Sequence, residues 1–301
     1  MALLGETTDT DHGYNNLMSD LVSVVIPNRN GGIFIRDCLE SVFAQTYTNL
    51  EILVIDDGST DNSLEELAMF AGKIRLISGR NLGAASARNI GMRASHGRYI
   101  ALLDIDDIWE ANKIQRQIDF LNQSKLDLVY CDGQEFGPNN AIKLIHKARY
   151  SGDVYEYFKK FPARAIIELG CSSALFRTSI LELSGEFDES FSGAAEDWDF
   201  FRRYSIYAKV GFVPEILVYY RRHENSITAG SINSYYEGNR QAILKMFRED
   251  PNILFRDRRF IWSKFHYQST KSYLKCGNIT ASIRCLVRVV LPIPLKSRRG
   301  S

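Results

Sequence analysis

The sequence is short of several things, and each shortage removes a class of protein. No apolar run approaches the ~20 residues that cross a bilayer. The opening, MALLGETTDTDHGYNNLMSD, has neither the basic start nor the apolar middle of a secretory signal, and residues 1–20 read as a loose polar segment. The five cysteines (Cys38, Cys131, Cys171, Cys276 and Cys285) are odd in number, scattered, and include no CxxC pair. That argues against a disulfide framework or a zinc site and for reduced thiols in a cytoplasmic protein. Internal repeats and low-complexity tracts are missing too. Acidic residues are absent from one long stretch: from Arg258 to Ser301 there are ten Lys or Arg and no Asp or Glu. The net charge of +1 therefore hides an acidic body, 27 basic against 36 acidic residues, with a basic tail. The tail calls for an anionic partner. Its arginines stand among the apolar residues of ITASIRCLVRVVLPIPL, which fits peripheral contact with the inner face of a membrane as well as it fits a solvated face. No nucleic-acid partner is expected.

What is present is a strand–helix alternation. Five runs, 21–27, 50–56, 73–78, 98–104 and 127–132, are rich in Val, Ile and Leu on successive positions, as strands buried on both faces are. The intervening stretches 33–44, 61–71, 84–94 and 110–122 have helical spacing. The alternation predicts an α/β fold with a mostly parallel sheet flanked by helices. Further on, 172–178 and 210–222 read as strands and 196–208 as a helix, and from about 234 a helical tail follows. The predicted division is a main domain over 21–230, split into 21–132 and 133–230, with an extension over 231–301.

Open parallel sheets bind ligands beyond the carboxyl ends of their strands. In this reading the first strand ends in Asn28-Arg29-Asn30, the second in Asp56-Asp57-Gly58-Ser59, and the fourth in Asp104-Ile105-Asp106-Asp107. Turns favour Asp, Asn and Gly, and that explains any one cluster. Three on one edge, with five acids among them, point to a site. Two carboxylates in D-x-D offer hard oxygen ligands to Mg²⁺ or Mn²⁺ and leave most of the coordination sphere open for substrate phosphates. The expected occupant is a divalent metal holding a nucleotide diphosphate.

Four segments then resemble glycosyltransferase family 2: VVIPNRNGGIFIRDCLESVFAQTYTNLEILVIDDGSTDNS, NLGAASARNIGMRASHGRYIALLDIDDIW, GAAEDWDFFRR and YRRHENSIT, together spanning about Val22 to Thr228. The resemblance implies an inverting enzyme of the GT-A fold. It implies that Pro27, Asn28 and Arg29 line the nucleoside pocket and that Asp57, with Asp56, contacts base or ribose. Arg88 would approach the nucleotide. Asp104 would touch ribose or metal, with Ile105 beside it, and Asp106 would bind the metal. Asp197 matches the catalytic base, Glu196 its neighbour, and His223 a histidine that completes the metal shell, with Mn²⁺ favoured over Mg²⁺. The implied donor is a nucleotide sugar, UDP-linked by preference, and the implied acceptor a glycan or lipid-linked intermediate of polysaccharide or glycolipid synthesis. Many relatives have Thr or a small residue and then an aromatic where Asn28-Arg29 stands. The lack of a Q-x-x-R-W after the acidic pair argues against a processive synthase.

The residues also have plainer readings. Asp107 reads as the cap of a helix starting near Trp109, Arg88 equally as a helix-surface arginine, and His223 alone as structural. Trp109, Trp198 and Trp262 read as core or acceptor-pocket walls. A sugar nucleotidyltransferase is the enzymatic rival, but its Gly- and Lys/Arg-rich phosphate loop is not found in PNRNGGIF. A phosphoacceptor receiver module would be far shorter. A catalytically inactive, sugar-binding relative is the third alternative.

Overall fold

The computed structural model describes residues 20–137, 141–161, 165–191, 194–223 and 232–290. Nine strands, β1 (Val22–Asn28), β2 (Leu50–Asp56), β3 (Arg75–Ser78), β4 (Tyr99–Leu102), β5 (Ile108–Trp109), β6 (Leu128–Phe136), β7 (Ile142–His146), β8 (Leu175–Arg177) and β9 (Val210–Arg221), form one sheet among these residues. The helices are α1 (Ile35–Phe43), α2 (Ser63–Ala68), α3 (Ala84–Ala94), α4 (Lys113–Ser124), α5 (Tyr155–Lys160), the single turns α6 (Gly170–Ser173) and α7 (Leu181–Ser184), α8 (Glu196–Tyr204), α9 (Ile232–Glu249), α10 (Phe255–Lys275) and α11 (Ile279–Val290).

The sheet order is β3-β2-β1-β4-β8-β6-β9-β5, with β7 on β6. Strands β3, β2, β1 and β4 are parallel, and their Val, Ile and Leu side chains are buried on both faces of β1 and β2. The second half differs from the parallel expectation. β8 inserts antiparallel between β4 and β6, and β5 and β7 also pair antiparallel. Pairing of β6 with β9 is parallel. The result is a mixed sheet with helices on both faces.

Two helix placements matter for the site. α3 carries Gly91 on its inner face, where a Cβ would stand 2.4 Å from a Val25 methyl and 2.7 Å from Ile55 Cδ1. The missing side chain lets α3 lie directly on β1 and β2, so Arg88 is buried at the sheet edge and not on the helix surface. On the same face of the sheet, α9 and α10 share one core with the strands: Ile243, Met246, Phe247, Trp262 and Phe265 join Val25, Leu53 and Tyr130. Trp109, Trp198 and Trp262 are all buried.

Candidate active site

The parallel pairing aligns the polar strand ends, and Asn28 lies opposite Asp56 in register. The Asn28 amide donates to Asp56 Oδ1 at 2.8 Å, and the Ser59 hydroxyl and backbone N–H also donate to Asp56. Asn30 adopts φ +54° and accepts the Thr60 N–H at 2.7 Å, which closes the first two clusters into one knot. Pro27 is partly buried beside this knot and Arg29 is exposed at its rim. Asp57 turns the other way and accepts the N–H groups of Leu82 (3.0 Å) and Gly83 (2.7 Å), just ahead of α3. Each of its oxygens keeps a further lone pair.

The third cluster lies between these and the far half of the sheet. Arg88 donates to Asp104 Oδ1 at 2.7 Å and to Glu196 Oε1 at 3.2 Å. One buried guanidinium thus joins the D-x-D turn to the start of α8. Ile105 is buried under Gly31, and a Cβ at Gly31 would strike it at 2.8 Å. Asp106 faces His223, whose Nε2 lies 2.9 Å from Asp106 Oδ2. The imidazole is held over the turn by the Phe34 ring at 4.6 Å and by its place two residues past the end of β9. Burial first, and then the Asp104 charge, raise the Asp106 carboxyl above its ordinary range, while His223 lowers it.

Asp107 corrects a sequence expectation. α4 starts at Lys113, and Asp107 caps no helix. Its Oδ1 accepts the Arg221 N–H at 3.1 Å, while the Arg221 side chain donates to the Asp106 carbonyl at 3.0 Å. This stitch holds the end of β9, and with it His223, against the acidic turn. Asp107 is fully buried, and burial together with the Asp106 and Asp104 charges pushes its carboxyl well above the usual range.

Asp197 sits in the first turn of α8. Its Oδ1 accepts the Trp198 N–H at 2.7 Å. Its Oδ2 faces Gly170, where a Cβ would stand 2.5 Å away. Burial, then the neighbouring Glu196 charge, raise Asp197 to about 6, against an opposing pull from Arg88. That value suits a general base near neutral pH.

Sequence reading missed α6, which connects these parts. Leu169 and Gly170 take left-handed backbone, φ +57° and +49°, and turn the chain beneath Asp197. Ser172 Oγ accepts the Asp104 N–H at 3.1 Å, and the Ser172 carbonyl accepts Trp109 Nε1 at 2.8 Å. The only sequence signal was a Gly at the head of GCSS, which the strand-like run 172–178 concealed.

Arg88 therefore brings Asp104 and Glu196 together, His223 reaches Asp106, and Asp197 stands on the Glu196 side. Asp56 and Asp57 hold the adjoining loops. Among the described residues no three His, Cys, Asp or Glu side chains form a cage that holds a metal alone. A D-x-D turn with a nearby imidazole suits a divalent ion that takes its remaining ligands from phosphate and water, and such an ion offsets both the burial and the Asp104 charge that raise Asp106.

Comparison with known proteins accords with this geometry. The family model Glycosyl transferase family 2 matches residues 23–183. The chain belongs to glycosyltransferase family 2. It is 32% identical over 250 residues to the uncharacterized glycosyltransferase RP339 of Rickettsia prowazekii, covering 80% of this chain and 77% of the relative. It is 40% identical over 124 residues to the UDP-Glc:alpha-D-GlcNAc-diphosphoundecaprenol beta-1,3-glucosyltransferase WfgD of Escherichia coli, covering 40% of this chain and 49% of that one. Among solved structures, S. aureus TarS 1-349 in complex with UDP-GlcNAc superposes with TM-score 0.62 at 14% identity, over 89% of this chain and 90% of that one. The mannosyltransferase PcManGT from Pyrobaculum calidifontis, in complex with GDP-Man and Mn²⁺, gives 0.60 at 17% identity, over 91% and 76%. These likenesses identify the GT-A fold of this family 2 glycosyltransferase.

Proposed function

We propose that this glycosyltransferase is an inverting enzyme that moves one sugar from a nucleotide sugar, UDP-linked by preference, to an acceptor hydroxyl on a glycan or lipid-linked intermediate. The observation that carries this reading is the Arg88 bridge, which holds the D-x-D turn and the Glu196-Asp197 pair in one site. Residues 21–132 are assigned to donor binding and 133–230 to the acceptor. The UDP preference draws on WfgD and TarS, whose names include UDP-Glc and UDP-GlcNAc, and the lipid-linked acceptor on the diphosphoundecaprenol of WfgD.

In the mechanism, Asp197 Oδ2 takes the proton of the acceptor hydroxyl as its oxygen attacks the anomeric carbon. The bond from that carbon to the diphosphate oxygen breaks on the opposite face, and the configuration inverts. Gly170 leaves the approach to Oδ2 free of a side chain. Arg88 engages Glu196, so that carboxylate is tied to the guanidinium while Asp197 stays free for the acceptor, and it fixes Asp104 in the D-x-D turn. Asp106, with Asp104 and His223, would hold a divalent ion, Mn²⁺ by preference, and that ion supplies charge stabilisation for the departing diphosphate.

Two outcomes test the assignment of the metal side. Asp106→Ala removes a direct ligand, so the metal-dependent part of nucleoside diphosphate affinity should fall by about 100-fold, the upper end of what losing even an outer-shell partner costs. Calorimetry with UDP, with and without Mn²⁺, reads this, and an unchanged metal dependence removes Asp106 from the ligand set. His223→Ala should shift the preference from Mn²⁺ towards Mg²⁺, because imidazole suits the softer ion. Initial rates of nucleotide release in each metal show it, and an unchanged ratio makes His223 a structural residue.

A further inference from the structure

α11 is amphipathic the wrong way round for a helix packed on a protein. Its small residues face inward: Ser282 and Cys285 are buried against α10, and Ser282 Oγ donates to the Thr270 carbonyl at 3.2 Å. Its large apolar residues face water. Ile279, Ile283, Leu286 and Val287 are 64%, 56%, 50% and 49% exposed. At about 100° per residue these four share one arc of about 100°, a continuous stripe. An apolar stripe of this kind left in water marks an interaction surface.

Charge says what covers it. Arg284 borders the stripe on the Val287 side, and no acidic residue occurs from Arg258 onward. A second copy of the same face would set cations against cations with nothing to pair them. Residues 291–301 are no better suited to fold over it, since they add Lys296, Arg298 and Arg299 and no acid. A surface of anionic phospholipid satisfies both features, taking the apolar side chains into its acyl boundary and Arg284 among its headgroups. No helix among the described residues is long and apolar enough to cross a bilayer, so the contact is peripheral.

We infer that the outward stripe of α11, Ile279, Ile283, Leu286 and Val287 with Arg284 at its border, docks the protein on an anionic phospholipid surface. The placement of this face relative to the site gives it a use. Arg288 Nη1 donates to the Tyr236 hydroxyl at 2.6 Å, and Tyr236 lines a cavity between α9 and α10 together with Ile232, Tyr235, Phe265 and Tyr273. Gly238 of α9 lies against the Ala194 backbone, where a Cβ would stand 2.4 Å from the carbonyl oxygen, so the helix that walls this cavity packs on the entry to α8, two residues before Glu196. On the sugar-transfer reading, from which this last step follows, an acceptor anchored in lipid enters along that aromatic wall.

The test is co-sedimentation of the full chain with vesicles of phosphatidylglycerol and phosphatidylcholine, and with vesicles of phosphatidylcholine alone. Binding is expected to the first at low salt, to weaken as salt rises, and to be slight for the second. The variant Ile283→Asp with Leu286→Asp should lose about 100-fold in partitioning, from two lost apolar contacts and two added anions. Its UDP affinity by calorimetry should stay at the wild-type value, which also shows that it folds. If it does not fold, Arg284→Glu serves instead, with a loss of about tenfold. The inference is overturned by absence of binding to the anionic vesicles, by binding that survives these substitutions, or by a wild-type dimer in ultracentrifugation that the substitutions dissociate. The vesicle result does not depend on which sugar moves, and UDP calorimetry tests the donor reading separately.

Discussion

Asp197→Asn is expected to bind donor as tightly as the wild type and to transfer almost no sugar. The amide has the shape of the carboxylate and can still accept the Trp198 N–H at the α8 start, so the fold is retained. It lacks the basicity to take a proton. Removal of a general base costs about 10²–10⁴-fold in rate, and the loss should fall on kcat. The pH profile adds an independent reading. Asp197 sits at about 6, raised by burial and by the Glu196 charge. A base works only when ionised, so wild-type activity should rise with pH through about 6 and level off above it. That acid limb should vanish from the residual activity of the variant. Nucleotide release with a competent acceptor measures the rate, and calorimetry measures donor binding. Normal transfer by Asp197→Asn would place the base elsewhere, and loss of donor binding would make Asp197 a ligand.

The half of the candidate site built on β1, β2 and β4 was legible because it rests on local chain properties. Apolar runs that are buried on both faces define β1, β2 and β4, and parallel pairing puts their ends on one edge, so Asn28, Asp56 and Asp104 had to converge. The other half depends on long-range pairing that periodicity does not encode. β8 is three residues long and inserts antiparallel between β4 and β6. That insertion is what carries α6 under Asp197 and Ser172 to Asp104. Asp107 was misread for the same reason: its partner, Arg221, is 114 residues away, on a strand whose register the sequence does not state. In α11 the sequence shows arginines among apolar residues but not which side faces inward, and the fold buries Ser282 and Cys285 and leaves the large apolar residues outside.

Arg88→Met should be the most damaging single change to the architecture of the site, and its effects separate from those of Asp197. Arg88 is buried and serves two carboxylates at once, with Asp197 close behind them. Replacing it leaves three acids facing one another without a cation. Breaking a buried pair by removing one partner costs about 3–5 kcal/mol, and the low end, about 3 kcal/mol, applies here because Asp104 keeps 31% of its side chain in water. Chemical denaturation should show that loss. The second effect concerns pH. Arg88 pulls Asp197 downward, so without it the Asp197 carboxyl rises further above its present value of about 6. The acid limb of the activity profile should therefore move to higher pH in Arg88→Met, whereas Asp197→Asn abolishes it. Glu196→Gln works in the opposite direction, because the Glu196 charge raises Asp197, and its limb should move to lower pH. The double variant should return the limb towards its original position. Limbs that stay fixed in both single variants would show that Arg88 and Glu196 do not act on the base, and would leave the bridge a purely structural tie between the D-x-D turn and α8.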